Sequence, residues 1–293
     1  MMIPDCVNRM IIDIHTHVFP PRLAASALRS MQANSHTALF SDGTAEGLLQ
    51  GMKRAGIDLS VVQPVATNPA KLSHLNDSVL EMNRKTAETG ILSFGAMHPA
   101  CESWEEELER LVREKVLGIK LHPCYEHIDM DDPRTVEILK RCREYGLVVL
   151  IHSGWDVGLP GNDAALPAKI RRALDAAGSV KMIAAHMGGW DCWEEAADLL
   201  AETDVYVDTA FSLDRIMPAP GDAHWQGSDA EMLSGERFCA LAERYGADKV
   251  LFGTDSPWTD PLEEIERIKA LPLPEETIQG ILGGNAQKLL GTN

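Results

Sequence analysis

Short runs of apolar residues recur along the chain, each followed by a polar or Gly/Pro-containing stretch and then by a longer segment with apolar residues at helical spacing. Eight such runs stand at residues 10–17, 59–65, 91–97, 117–122, 147–152, 181–186, 205–209 and 249–255. Leu147-Val148-Val149-Leu150-Ile151 is apolar on both faces, which suits a parallel strand buried between a core and a layer of helices. The spacing predicts helices over 76–89, 104–116, 133–145, 167–177, 193–201, 230–245 and 261–270, and Leu108, Leu111 and Val112 share one stripe of the second. Pro133 and Pro261 fit first helical turns, and Gly90, Gly146, Gly178 and Gly246 fall just past last turns.

Eight strand-helix units in one chain predict the α/β class and a closed (β/α)8 TIM barrel. At 293 residues the length would allow two domains, but no composition shift or long Gly/Ser tract divides the chain, so residues 1–293 read as one. Two connections are long, 18–44 after the first strand and 210–228 after the seventh, where such a fold builds a pocket or lid.

Composition narrows the function classes. The chain has 45% hydrophobic and 24% charged residues, ordinary for a globular protein, which excludes disorder and fibrous repeats. Against 27 Lys and Arg stand 44 Asp and Glu, a net charge of −17 that repels a phosphate backbone or an anionic bilayer. Neither nucleic acid nor membrane is expected as a partner. No apolar stretch reaches the roughly 18 residues of a spanning helix, and Met1-Met2-Ile3-Pro4-Asp5 lacks the body of a signal peptide, so the expected location is cytoplasmic. Six cysteines (Cys6, Cys101, Cys124, Cys142, Cys192 and Cys239) are spread singly and read as reduced, mostly packed thiols.

The first run ends Asp13-Ile14-His15-Thr16-His17, where alternation puts Asp13, His15 and His17 on one face. Two imidazoles projecting together can supply two ligands to one borderline-soft cation. A His-x-His arises by chance in roughly one such sequence in three, so position has to add weight. It does, because His15, His17, His98, His122, His152 and His186 all close or directly follow a predicted strand. A barrel turns every such end to one face. Asp255, in Gly253-Thr254-Asp255-Ser256-Pro257-Trp258, completes the pattern at the eighth.

At these residues the chain resembles the amidohydrolase superfamily, in particular its amidohydrolase-related branch of metal-dependent hydrolases that includes aminocarboxymuconate-semialdehyde decarboxylase-like enzymes. The likeness spans nearly the whole chain. It is carried by Asp13-Ile14-His15-Thr16-His17, Gly118-Ile119-Lys120-Leu121-His122-Pro123, Ile151-His152-Ser153-Gly154, Ala185-His186-Met187-Gly188-Gly189, Gly253-Thr254-Asp255-Ser256-Pro257 and Gly284-Asn285-Ala286. The resemblance implies metal ligation by His15, His17, His152 and Asp255, with Asp255 and His186 as the catalytic pair. Alternatively, His186 is a second-metal ligand, as in two-metal branches. It implies one divalent ion, Zn²⁺ first and Mn²⁺ or Fe²⁺ as alternatives, leaving room for a water whose pKa can fall to about 7. Asp255 is then expected to take that water's proton, and His186 to orient the water or stabilise charge on a carbonyl oxygen.

Other positions carry weaker expectations. In two-metal relatives a fourth-strand lysine carbamylated by CO2 bridges the ions; for Lys120 the simpler expectation is an ammonium paired with a carboxylate inside the barrel. His122 and Lys120 are candidate substrate contacts, and His98, which also precedes a proline, a structural residue. Asp208 either binds substrate or orients a ligand histidine, and Asp13 makes a hydrogen bond deep in the barrel. The late loops offer Arg215, His224, Trp225 and Trp258, of which Arg215 and Trp258 are candidate grips for a substrate carboxylate or ring. Glu105-Glu106-Glu107 reads as a solvated first helical turn, and Asn285 as a cap of the last helix.

The expected partner is a small-molecule substrate, and a homo-oligomer is left open. The leading function is hydrolysis of a small amide, ester or lactone by a metal-activated water. The alternative is non-oxidative decarboxylation at the same centre, kept by Arg215 and Trp258, while Lys120 tilts toward hydrolysis. A non-catalytic, metal-stabilised binding barrel ranks last, because a stability site is closed and needs neither a base nor long lids.

Overall fold

The computed structural model describes residues 10–292. The opening pentapeptide and Cys6 lie outside the described residues. Strands β1 (Ile12–Thr16), β2 (Leu59–Val62), β3 (Ile91–Ser93, continued by Gly95–Ala96), β4 (Gly118–Leu121), β5 (Val148–Ile151), β6 (Met182–Ala184), β7 (Tyr206–Asp208) and β8 (Val250–Leu251) all pair in parallel with their sequence neighbours. The ring closes between last and first, where the Ile14 amide donates to the Phe252 carbonyl (2.9 Å) and the Asp255 amide to the His15 carbonyl (2.8 Å). Each of the eight predicted runs thus supplies one stave of a TIM barrel. The third is broken in its pairing at Phe94.

Among the described residues thirteen α-helices accompany the staves: α1 (Pro21–Ser35), α2 (Ala45–Ala55), α3 (Leu72–Asn83), α4 (Thr86–Thr89), α5 (Trp104–Arg113), α6 (Pro123–Glu126), α7 (Pro133–Tyr145), α8 (Pro167–Ala177), α9 (Trp193–Leu200), α10 (Gly235–Tyr245), α11 (Pro261–Lys269), α12 (Glu275–Gln279) and α13 (Asn285–Leu290). Among the described residues no helix is long and apolar enough to cross a membrane. Gly90 and Gly146 close α4 and α7 in the left-handed conformation, and Pro133 and Pro261 open α7 and α11, as their positions predicted. The expected helix over 76–89 begins earlier and divides into α3 and α4, and that over 230–245 begins only at Gly235, capped by the Ser234 hydroxyl.

The structure also corrects the role of Asn285. Its side-chain amide donates to the Ala247 and Val250 carbonyls (2.9 and 2.8 Å), pinning the start of α13 to the foot of β8 rather than capping the helix. The long 18–44 connection, expected as a loop, contains α1. Its end is stitched to the 210–228 connection by Ala38 to Met217, Ala219 to His36 and Trp225 Nε1 to the Ser35 carbonyl, so the two long connections form one cap.

On α11, Glu264 is 2% exposed and pairs with Arg267. Burial pushes its carboxyl from 4.5 up to about 7 despite that partner. A carboxyl that holds its proton more tightly when folded stabilises the fold most below its unfolded pKa, and the benefit is lost as pH rises through its folded pKa. Between pH 5 and 8 the wild type should therefore lose on the order of 2 kcal/mol relative to Glu264→Gln. Urea denaturation at the two pH values measures this, and parallel behaviour of the two proteins would contradict it.

Candidate metal centre

On β1, Ile12 and Ile14 face away from Asp13 and His15, and all four are fully buried. Gly253 makes room for this packing, because a Cβ there would lie 3.0 Å from His15 Cβ. His15 Nε2 and His17 Nε2 come within 3.2 Å of each other. Both face Asp255 Oδ1, at 3.6 and 3.1 Å respectively. Asp255 has φ 57°, a left-handed backbone uncommon for its type, at the turn that follows β8. Behind His15, Nδ1 donates to Asp208 Oδ2 at 2.9 Å, which leaves Nε2 as a lone pair aimed at the cluster. Burial, then the neighbouring Lys120, hold His15 well below the usual imidazole range, so the ring is neutral. Burial acts to raise the Asp255 carboxyl, but the His17 hydrogen bond and the surrounding imidazoles outweigh it and keep Asp255 ionised.

Asp208 links two of the histidines. Its Oδ1 accepts the His186 amide (2.8 Å) and its Oδ2 serves His15, so of the two roles expected for it the structure supplies the orienting one. His186, at φ 59°, donates Nδ1–H to the Ala210 carbonyl (2.8 Å) and turns Nε2 toward His152 Nδ1 at 3.1 Å. The rings of His15 and His186 are 5.3 Å apart.

His152, expected beside His15 and His17, does not join the tight set of His15, His17 and Asp255. Its Nδ1 faces His186, and its Nε2 faces Asp156 Oδ2 at 3.7 Å. The His122 ring stacks on His152, 4.3 Å between centroids and 6° from parallel, and points Nε2 at the same Asp156 oxygen from 3.5 Å.

Lys120 overturns a simpler expectation. Its Nζ lies 3.4 Å from His15 Nε2, and among the described residues no carboxylate stands within ion-pair distance. The nearby acids are already engaged: Asp208 holds His15, Asp255 holds His17, and Glu126 accepts the His122 amide at 2.6 Å. Burial lowers the Lys120 ammonium to about 8 and raises the Glu126 carboxyl to about 8.

Of the remaining candidates, Trp258 packs edge-on to His17 with centroids 5.4 Å apart. Arg215 is not brought to the cluster: it is exposed, and its guanidinium donates to the Gly227 carbonyl within its own loop at 3.2 Å. Arg215→Ala should therefore change kcat/KM by less than about threefold, within the small range of surface substitutions away from a site. Steady-state kinetics decide it. Trp225 and His224 also anchor the cap, the latter stacked on His36 at 4.3 Å. His98 accepts the Ala100 amide at 3.1 Å, and Asp13 accepts the Thr254 hydroxyl at 2.6 Å, both structural uses. Sequence reasoning missed Asp156 and Glu126. Their only signal was position, each four residues after a strand-end histidine.

The residues fit a divalent ion. His15, His17 and Asp255 form an N,N,O donor set whose edges of 3.2, 3.1 and 3.6 Å bracket the edge of about 3.4 Å that bonds of 2.0–2.1 Å give in a tetrahedron. His15 is buried while His17 and Asp255 are partly exposed at the barrel mouth, and the set places two imidazole nitrogens against one ionised oxygen.

Residues 12–292 match the model of the Amidohydrolase family, and the chain belongs to that family. No curated protein matches it in sequence. Among solved structures it is similar to an uncharacterized TIM-barrel protein from Bordetella bronchiseptica, with 19% identity, 96% of this chain and 98% of the other covered, and a TM-score of 0.76. It is similar to a dihydroxybenzoic acid decarboxylase from Polaromonas solved with manganese and 2-nitroresorcinol, with 15% identity, coverage of 97% and 98%, and a TM-score of 0.67. A third is a protein from Pseudomonas putida assigned as a 2-pyrone-4,6-dicarboxylic acid hydrolase, with 20% identity, coverage of 97% and 98%, and a TM-score of 0.63. At these identities the likeness establishes the shared barrel.

Proposed function

We propose that the chain is a metal-dependent hydrolase of small amides, esters or lactones, and that its substrate carries a carboxylate. The observation that carries the reading is the convergence of His15 Nε2, His17 Nε2 and Asp255 Oδ1 beside Lys120, a buried lysine whose Nζ contacts His15 Nε2 and which has no carboxylate partner among the described residues. We assign one ion to His15, His17 and Asp255, with Zn²⁺ as first choice and Mn²⁺ or Fe²⁺ as alternatives. His152 is left out of that set because both of its ring nitrogens face other groups. Three protein ligands leave a coordination position open, the pattern of catalytic rather than stability sites.

When bound, the ion supplies Lewis acidity, lowering the pKa of water to about 7 and polarising a carbonyl oxygen. Asp255 takes the attacking water's proton and delivers it to the leaving atom. His186 carries protons through Nε2 alone, because Nδ1–H is fixed on the Ala210 carbonyl. Lys120 holds the substrate carboxylate, the anion its buried charge lacks. Trp258, edge-on to His17, forms an apolar wall for a ring.

The second reading, decarboxylation, gains from the same ammonium, since a lysine that grips a carboxylate serves a lyase equally well. The structural neighbours include a decarboxylase and a hydrolase assignment, both named for carboxylic acids. A paired screen of metal-loaded protein, following acid release from carboxylated lactones, esters and amides and CO2 release from carboxylated aromatics, separates the two. CO2 release alone would replace the hydrolase reading. His186→Asn should lower kcat about 10²-fold with little change in KM, the range for losing one general acid-base group. A change confined to KM would count against that role.

A further inference from the structure

We propose that Trp193 is a positioning residue for His186: its indole N–H holds the His186 carbonyl and so fixes the direction in which that imidazole enters the barrel mouth. The inference rests on the acid-base role proposed for His186 and goes beyond it, because Trp193 reaches the reacting atoms only through that residue.

His186 leaves β6 in an unfavourable conformation. Its φ is 59°, and Met187 and Gly188 follow at 54° and 89°, so three successive residues are left-handed. Only glycine enters this region without crowding between Cβ and the carbonyl oxygen, so His186 and Met187 stay there only where their surroundings compel them. Asp208 Oδ1 accepts the His186 amide at 2.8 Å, and the Asp208 carbonyl accepts the Met187 amide at 2.7 Å. The His186 carbonyl accepts Trp193 Nε1–H at 3.1 Å and the Gly189 amide at 3.2 Å. Among the described residues the indole is the one side-chain donor on that oxygen. With the amide fixed on one side of Cα and the carbonyl on the other, the Cα–Cβ bond has one direction. That direction lets Nδ1–H meet the Ala210 carbonyl at 2.8 Å and leaves Nε2 free to carry protons.

The indole is itself held. Trp193 opens α9 and is 6% exposed. Trp190 packs edge-on to its ring with centroids 6.4 Å apart, and the Arg237 guanidinium carbon lies 5.9 Å from the ring centroid. Gly188 lets α9 come this close, since a Cβ there would overlap the Tyr245 hydroxyl and lie 3.5 Å from Ala196 Cβ. A ring locked by packing directs its N–H at one point, which makes the hydrogen bond a constraint on His186.

The test reads the imidazole directly. In protein labelled with ¹⁵N in histidine, the Nδ1–H of His186, held on the Ala210 carbonyl, and that of His15, held on Asp208, are each assigned by their loss when that histidine is replaced by asparagine. Two replacements of Trp193 are compared: Trp193→Phe, and benzothienylalanine, which keeps the bicyclic shape and carries sulfur in place of the N–H. Each should speed solvent exchange of the His186 proton at least about tenfold and leave that of the His15 proton within about twofold. On the substrate found by the paired screen, kcat should fall about tenfold, the worth of one hydrogen bond, with KM unchanged. It should fall no further when either replacement is added to His186→Asn. Equal acceleration of both protons would show a general loss of stability, and an unchanged His186 proton would show that Trp193 only anchors α9. Either overturns the proposal, as does wild-type behaviour of the benzothienylalanine protein. If His186→Asn itself leaves kcat unchanged, the acid-base reading falls, and the exchange rates still decide what Trp193 holds. If Trp193→Phe fails to fold, the isosteric replacement decides.

Discussion

Replacing His15 and His17 together by alanine should strip the catalytic ion and lower turnover by at least about 10³-fold, while the barrel still folds. The size follows from what the ion supplies: a few kcal/mol of charge stabilisation and a nucleophile at neutral pH, with each 1.36 kcal/mol worth a factor of ten in rate. The fold should survive because the staves are held by parallel pairing and by apolar side chains outside the site, among them Ile12, Ile14, Leu150 and Leu251. Some stability is lost. Removing His15 takes the 2.9 Å partner from Asp208, a buried carboxylate that burial already pushes up to about 6. An unpaired buried acid of this kind costs roughly 1–3 kcal/mol. Elemental analysis and far-UV circular dichroism on the double variant are sufficient. Native-like dichroism with wild-type affinity for the ion would falsify the ligand assignment.

Gly154→Ala should be the most damaging single substitution near the site, with a loss on the order of 4 kcal/mol or more. Gly154 has φ +86°, where an L side chain is strained, and a Cβ built there lies 2.2 Å from the Trp190 amide nitrogen and 2.4 Å from its carbonyl oxygen. Those are main-chain atoms, so no rotamer change relieves the overlap. The same residue donates to the Ala165 carbonyl at 2.9 Å and bridges to Trp190, joining the loops after β5 and β6. Its displacement would also move His152 and Asp156, two residues to either side. Urea denaturation of the variant measures the loss, and stability within 1 kcal/mol of wild type would show that these loops yield more easily than close-packed backbone should.

Much of the barrel could be read from the chain because its signals are local. An apolar run such as 147–151 reports a stave buried on both faces, and Gly146 or Pro133 marks a helix end through its own backbone limits. The weaker expectations failed where local pattern and tertiary need diverge. Asn285 precedes a helical run and so resembled a cap, but two carbonyls at the foot of β8 claim its amide. Helix α1 was missed because it belongs to a cap whose partners, Met217 and Trp225, lie nearly 200 residues away in sequence.

The same division runs through the site. His15 and His17 had to share a face because strand side chains alternate, and strand-end histidines had to gather at one mouth because parallel staves in a ring end together. Residue type and position within a stave sufficed for that. Which nitrogen of each ring turns inward, which acid is spent on which histidine, that Lys120 is left without a carboxylate and that Arg215 remains with its own loop were fixed only by packing. Those outcomes depend on separations of a few ångströms between groups from different staves. A linear chain specifies such separations only through the whole fold.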